Sequence, residues 1–234
     1  MNVYSVEVTS KKQLTNKLYE LNIRLIDPAT ISFKAGQCVG FHTELTKNPK
    51  MKRLYSIASL PEHGGELSFV IDVSPGGIGS QFVLNLKPGD KFTMEGPYGG
   101  FTVNDNLSDI LMIATGAGIA PFKAMILDLL HKDYPKEITL LFGVRSEQDK
   151  VYFDLFEQLS HEHPQFIFIP TLSQPSDSWN GSKGRVTAFL DQNYQSYKNN
   201  RIYICGSPVM VKDVRANLIT KGKDQKEIKL ELFV

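Results

Sequence analysis

Cysteine is scarce in this chain. Cys38 and Cys205 are the two thiols among 234 residues, and they stand far apart. No metal-ligand spacing is present, and an iron–sulfur cluster of the plant type needs four grouped thiolates, so the chain cannot hold one alone. A disulfide between the two does not suit a chain of this size that shows no secretory signal. A charge excess of one sign is also missing. The 26 basic and 25 acidic residues leave a net charge of +1, which argues against a broad nucleic-acid or membrane-binding surface. Long apolar runs are missing too, so nothing reaches membrane-spanning length. The start, MNVYSVEVTSKK, alternates apolar and polar residues and lacks the apolar h-region of a signal peptide. The expectation is a cytoplasmic protein without membrane insertion.

What is present divides by period. Up to about residue 100 the chain reads as short strands. In LYELNIRLI, Tyr19, Leu21, Ile23 and Leu25 fall on one face and Glu20, Asn22 and Arg24 on the other, the period-two pattern of a half-buried strand. QCVGFHTEL, RLYSIAS, ELSFVIDV and KFTMEGP follow, separated by the turn clusters KAGQ, PEHGG and KPGD. This predicts an antiparallel barrel or sandwich, with one short helix around SQFVLNL. After GPYGGFT the pattern changes. Nearly continuous apolar runs (DILMIA, EITLLFGV, FIFIPTL, RIYICGS, IKLELF) alternate with helical stretches. Strands buried on both faces and separated by helices predict a five-stranded parallel α/β sheet. The expected domains are 1–102 and 103–234, and SQPSDSWNGSKG is the longest loop-like stretch.

Four glycine-bearing segments sit at predicted strand ends. ATGAGIAPFKAMI has Gly116 and Gly118 between a strand and a helix, with Pro121 in the first turn. Free N–H groups at such a turn suit a phosphate, although the pattern is G-x-G-x-x-P and not the dinucleotide fingerprint; a tightly packed β–α turn reads equally well. CGSPVM sets Cys205 and Gly206 at another strand end, and a buried, inert Cys205 is the simplest account of that thiol. PGGIGSQF offers Gly77, Gly79 and Ser80 either as a second anion-binding turn or as a plain connection. GPYGGF reads as the turn that leaves the β half. RLYSIAS remains unusual, because Arg53, Tyr55 and Ser56 break an otherwise apolar strand.

The order of these motifs, R-x-Y-S, G-x-x-S, G-P-x-G-x-F, T-G-x-G-x-x-P and C-G-x-P-x-M, resembles that of the ferredoxin–NADP reductase superfamily over essentially the whole chain, in a two-domain form without an iron–sulfur domain. The resemblance implies a six-stranded antiparallel FAD-binding barrel followed by a Rossmann-like NAD(P)-binding domain. It implies that Arg53 pairs with the FAD pyrophosphate, for which an always-charged bidentate donor is suited. Tyr55 would pack against the isoalloxazine, and Ser56 would lie near flavin N5. Alternation along a strand puts Arg53 and Tyr55 on one face and Ser56 on the other, so the three would serve one flavin only if the strand twists or bulges. Gly77, Gly79 and Ser80 match a second pyrophosphate contact, and the backbone around Ile71 and Val73 flanks the flavin. Thr115, Gly116, Gly118 and Pro121 match the nicotinamide-nucleotide turn. Cys205, with Gly206 and Met210 of its motif, matches a place beside the nicotinamide. Glu231 and Phe233 of LELFV match an acidic residue near the flavin and an aromatic against its ring; the simpler reading makes them parts of a last strand.

The resemblance further implies hydride transfer from NADH or NADPH to FAD, with electrons passing to a separate acceptor: ferredoxin, flavodoxin, or an oxygenase or haem component. The competing readings are a reductase of free flavin and a non-catalytic electron-transfer protein. Relatives that use NADPH carry Ser then Arg after the third strand of the second domain. Here Ser173 is followed by Gln174, which leans to NADH, while Lys183 and Arg185 are cations that could substitute. Lys47, Lys50 and Lys52 in TKNPKMKR read as a solvated loop or as a basic patch for an acidic carrier. A monomer is expected.

Overall fold

The computed structural model describes residues 2–43, 52–63, 65–103 and 107–232. Its contacts divide the chain into two compact units. One comprises residues 1–103 and 120–129, the other 104–119 and 130–234.

The first unit is a six-stranded antiparallel sheet built from β1 (Asn2–Gln13), β2 (Leu18–Asp27), β3 (Cys38–His42), β4 (Lys52–Ser56), β5 (Glu66–Asp72) and, after helix α1 (Ile78–Asn85), β6 (Lys91–Tyr98). The order is β4-β3-β6-β1-β2-β5. The two end strands meet through an antiparallel bridge between Ile57 and Phe69, where the Ala58 N–H also donates to the Ser68 carbonyl at 2.8 Å. That contact curls the sheet into a barrel and joins its two edges at one point. Alternation supplies the interior: Val6 and Val8 from β1, Leu21, Ile23 and Leu25 from β2, and Phe69 and Ile71 from β5 are all buried. Phe41 of β3 stands at the centre, its ring centroid 4.8 Å from Tyr55, 4.9 Å from Phe69 and 4.8 Å from Phe92. Helix α1 adds Val83 to this core.

The second unit contains β7 (Ile110–Thr115), α2 (Ile119–His131), β8 (Ile138–Val144), α3 (Phe153–Glu162), β9 (Phe166–Leu172), β10 (Ser182–Lys183), α4 (Val186–Tyr197), β11 (Arg201–Gly206), α5 (Pro208–Thr220) and β12 (Ile228–Leu232). Residues 120–129 of α2 group with the first unit, where Lys123 pairs with Glu20 at 3.8 Å. The parallel sheet runs β10-β9-β8-β7-β11-β12. On one face, Leu111, Ile113, Leu141, Ile202 and Ile204 pack with Val186 and Leu190 of α4 and Val211, Val214 and Leu218 of α5. Phe142 faces the other way and meets Phe153 of α3 at 5.7 Å, with Phe168 behind it at 5.3 Å from Phe153.

The sheet has six strands where the apolar runs predict five. The extra one is β10, which pairs Ser182 with Thr171 and Lys183 with Leu172. Two residues are too few to display a period, so the sequence reads as loop there. The strand forms because the segment before it is folded: Trp179 Nε1 donates to the Ser182 carbonyl at 2.9 Å, and the indole lies where a side chain on Gly181 would be.

Candidate functional site

In the first unit, β4 and the start of α1 come together. Arg53 and Tyr55 share the face that α1 covers. A Cβ built on Gly79 would lie 2.6 Å from the Tyr55 hydroxyl and 3.1 Å from Arg53 Cγ, so the glycine lets the helix begin directly over these side chains. The N-cap residue is Gly77, and no side chain caps the helix. The first helical bond runs from the Gln81 N–H to the Gly77 carbonyl at 3.0 Å, which leaves the preceding N–H groups of the first turn without helical partners. Gly76, at φ +66°, and Gly77 border open space. An arginine beside an uncapped helix start across open glycines is a ready anion site. Burial pushes the Tyr55 hydroxyl up to about 12, against the opposing charge of Arg53, so it remains a neutral donor. Ser80 is buried in the same turn.

Ser56 is placed elsewhere. The β3–β4 register is regular from His42–Lys52 to Cys38–Ser56, so Ser56 lies across from Cys38 on the face opposite Arg53 and Tyr55, and it is buried. No bulge in β4 rotates it back. The irregularity falls instead between Cys38 and Gly40 in the pairing with β6. Ile71 is a core residue whose backbone pairs with Tyr19, and the Val73 N–H donates to the Lys17 carbonyl at 2.9 Å. The other edge of β5 is bridged at Phe69, and among the described residues no strand covers it beyond that point.

In the second unit the chain builds β7 to β10 in one direction, then returns to place β11 on the other side of β7. Strand order therefore reverses between β7 and β11, and open α/β sheets bind ligands beyond the carboxyl ends of strands at such a point. Both glycine turns lie there. A Cβ on Gly118 would collide with the Cys205 carbonyl and with Gly206 Cα, and one on Gly206 would collide with Thr115 Oγ1. The turns thus interlock through missing side chains, and Gly206 also needs its φ of +147°. Gly116, at φ +55°, borders open space. The Ser207 N–H donates to Thr115 Oγ1 at 3.4 Å, and Ser207 Oγ caps α5 by accepting from the Met210 N–H at 3.3 Å. Pro121 stands in the first turn of α2.

Cys205 is fully buried. It is in register with Glu231 of β12, and its Sγ lies 4.0 Å from Glu231 Oε2. Burial, and then the charge of Glu231, raise its pKa well above the ordinary thiol value; it stays protonated and is not a nucleophile. Phe233 lies outside the described residues.

The loops after β8 and β9 are joined. Ser173 N–H donates to the Val144 carbonyl at 3.1 Å and Gln174 N–H to the Arg145 carbonyl at 2.7 Å, while Arg145 Nε donates to Gln174 Oε1 at 2.8 Å. Glu147 Oε1 accepts from the Ser176 N–H and Oγ at 2.9 and 2.8 Å, and Lys150 lies 4.6 Å from the centre of the Trp179 ring. Lys183 and Arg185 are exposed.

Sequence reasoning misses several of these contacts. Ser207 has a readable signal, a serine directly before a proline at a helix start. Glu147–Ser176 and Lys123–Glu20 have none, because each joins residues that only folding brings together. Lys52 is engaged: Nζ meets Glu95 Oε2 at 2.6 Å and also binds the Tyr98 hydroxyl. It is therefore not an open cation of a basic patch, and Lys47 and Lys50 lie outside the described residues.

Comparison with known proteins gives these features a common frame. A family model for an oxidoreductase FAD-binding domain matches residues 5–103, and one for an oxidoreductase NAD-binding domain matches residues 112–216. The chain belongs to the ferredoxin–NADP reductase superfamily. One component of the Na(+)-translocating NADH-quinone reductase of Neisseria gonorrhoeae is 32% identical over 202 residues, covering 80% of this chain and 50% of that protein. The reductase component of phenol 2-monooxygenase from Pseudomonas sp. strain CF600 is 31% identical over 235 residues, covering 98% of this chain and 65% of that protein. The chain therefore spans between half and two thirds of these curated relatives. The cytochrome P450 reductase of Amycolatopsis shares the fold, with a TM-score of 0.89 at 24% identity over 99% of this chain and 70% of that one. The chain thus joins one oxidoreductase FAD-binding domain to one oxidoreductase NAD-binding domain. Its two open glycine turns, one beside Arg53 and one at the switch of strand order, fit the phosphates of these two cofactors. Among the described residues no helix is long and apolar enough to cross a membrane.

Proposed function

We propose that the chain moves reducing equivalents from NAD(P)H through FAD to a separate electron-acceptor protein. The turns after β7 and β11 carry this reading, because they lie where strand order reverses and Gly116 there borders open space into which a nicotinamide nucleotide would fit. Arg53 and the uncapped start of α1 would hold the FAD pyrophosphate, with Gly77, Gly79 and Ser80 giving the close approach. Tyr55 would present its ring and neutral hydroxyl to the flavin, and the uncovered edge of β5 at Ile71 and Val73 would offer it backbone groups. Ser56, on the opposite face of β4, would meet flavin N5 only where the ring runs past the end of that strand. Thr115, Gly116, Gly118 and Pro121 would hold the nicotinamide nucleotide, with Ser173 and Met210 at its margins.

Bound FAD supplies a group that takes a hydride and gives up electrons singly or in pairs; the protein supplies position and electrostatics. Cys205 keeps its proton on Sγ, with the Glu231 carboxylate 4.0 Å away. With Gly206 it would set the floor of the nicotinamide site, and Phe233 belongs to the same proposal as a ring partner of the flavin. We place the domain boundary at residues 102/103. The acceptor is a ferredoxin, a flavodoxin, or an oxygenase or haem component; the name of the phenol 2-monooxygenase relative supports the third class. A cytoplasmic monomer completes the proposal, to be checked by cell fractionation and light scattering.

The test is an anaerobic visible spectrum of the purified protein, before and after NADH or NADPH. A yellow protein that bleaches rapidly with a nucleotide is the expected result. A colourless protein that reduces only added flavin would make it a flavin reductase, and a yellow protein that neither nucleotide bleaches would make it a non-catalytic electron-transfer protein.

A further inference from the structure

We propose that Lys11 is a positioning residue for the flavin site: it clamps the far end of α1 so that the near end stays over Arg53 and Tyr55. The inference rests on the FAD cradle proposed above. A helix carries partial positive charge at its N-terminus and partial negative charge at its C-terminus. Helix α1 supplies no charge of its own at either pole. None of its residues is acidic in the first turn, none is basic in the last, and no side chain caps its start. Lys11 takes the negative pole. The positive pole is left to the open space beside Gly76 and Gly77.

Lys11 reaches the helix because β1 is bulged. Val8 pairs with Ile23 and Ser10 with Asn22, so β1 carries one extra residue between them. Without it, Ser10 would stand opposite Leu21. With it, Lys11 does, and Leu21 is fully buried in the barrel interior. Residues directly opposite in an antiparallel pair share a face, so the bulge turns a lysine from the outer face to the inner one. There Nζ donates to the Val83 carbonyl at 3.2 Å and to the Leu84 carbonyl at 2.5 Å. The helix closes with the bond from the Leu86 N–H to the Phe82 carbonyl at 3.2 Å, so these are the next two carbonyls, which the helix itself leaves without partners. Val83 is buried in the barrel core, and the Phe82 ring meets Phe92 edge-on at 5.4 Å. Such apolar contacts fix the depth of the helix but not its slide along its axis, because they are not directional. The two bonds from Lys11 supply that restraint. Eight helical residues span about 12 Å, so Lys11 acts on an anion at the other end through the helix and not by contact.

The test uses the full chain, stripped of flavin and titrated with FAD by flavin fluorescence, with a phosphorus NMR spectrum taken at saturating FAD. Lys11→Met keeps the aliphatic stem and removes the ammonium. It should weaken FAD binding about fivefold, the upper range for one charge at a helix terminus, and should move the pyrophosphate resonances. Lys11→Arg, which keeps the charge and the donors, should restore both. Lys11→Gln serves where Lys11→Met does not fold, and should show the same changes to a smaller degree. Resonances that stay in place at saturation would overturn the assignment whatever the affinity, and would leave Lys11 a support of the barrel alone. An affinity of Lys11→Met within about twofold of wild type would also overturn it. Arg53→Gln tells the two readings apart. If it weakens FAD binding while the Lys11 variants do not, only the role of Lys11 falls. If it too leaves affinity and resonances unchanged, the cradle itself is misplaced and both readings fall together.

Discussion

Gly79→Ala separates the site from the fold. The glycine lies in the first turn of α1 with an ordinary helical backbone, where alanine stabilises by up to ~1 kcal/mol relative to glycine. Against that gain, the new methyl would stand 2.6 Å from the Tyr55 hydroxyl and 3.1 Å from Arg53 Cγ. The hydroxyl must retreat by about 0.8 Å to reach ordinary van der Waals contact and the Arg53 stem by a few tenths. Both are side-chain atoms and both can move, although Tyr55 is braced by Phe41 at 4.8 Å. Tilting that ring off its preferred rotamer costs about 1 kcal/mol. The two effects nearly cancel, so the apoprotein should keep its stability within about 1 kcal/mol of wild type. FAD binding should not survive as well, because the displaced groups are the arginine and tyrosine of the proposed cradle, and a misplacement worth ~1.4 kcal/mol weakens affinity tenfold. The assay pairs urea unfolding of the apoprotein with titration of FAD by flavin fluorescence. Unchanged FAD affinity would show that the cradle at Arg53, Tyr55 and α1 is not where the cofactor binds. A stability loss of about 3 kcal/mol would show that the neighbours cannot yield, and the substitution would then be a packing defect.

Gly118→Ala should behave in the opposite way. Its Cβ would strike backbone atoms of Cys205 and Gly206 that cannot rotate aside, so the loss should reach ~3 kcal/mol, or about 6–12 °C in Tm. Gly116→Ala, in open space at φ +55°, should cost only ~1 kcal/mol of backbone strain, and equal effects of the two would refute the interlocked turns. Glu95 is held below its ordinary pKa, first by its hydrogen bond from Lys52 and then by that from Tyr98. Its contribution to stability is therefore present above the unfolded glutamate pKa and lost as pH falls through the folded one. The difference in urea midpoint between wild type and Glu95→Gln should be flat from about pH 6 to 8 and should shrink below about pH 4.5; a difference that grows on acidification contradicts the pairing. Both thiols are buried, and Cys205 is held protonated by burial. Neither should react with a thiol reagent at about pH 8 until denaturant is added, and rapid labelling of Cys205 in the native protein would sink the assignment of a protonated thiol.

The sequence alone determined what depends on local pattern. Alternation in LYELNIRLI placed Leu21, Ile23 and Leu25 in the barrel interior, and the apolar runs DILMIA and EITLLFGV became parallel strands buried on both faces. A strand needs only its own period to show which way it faces. The glycine turns were legible for a similar reason, since Gly116 and Gly206 adopt positive φ that other residues resist. Tertiary structure decided what depends on distance between segments. That Arg53 and Tyr55 face the start of α1 while Ser56 turns away follows from register with β3. That the turns after β7 and β11 interlock follows from the reversal of strand order, as does the pairing of Cys205 with Glu231. The two-residue β10, the brace from Glu147 to Ser176 and the capture of Lys52 by Glu95 leave no periodic trace in the chain. Each is a contact between groups with no local preference for one another, fixed only when the folded backbone sets them a hydrogen bond apart.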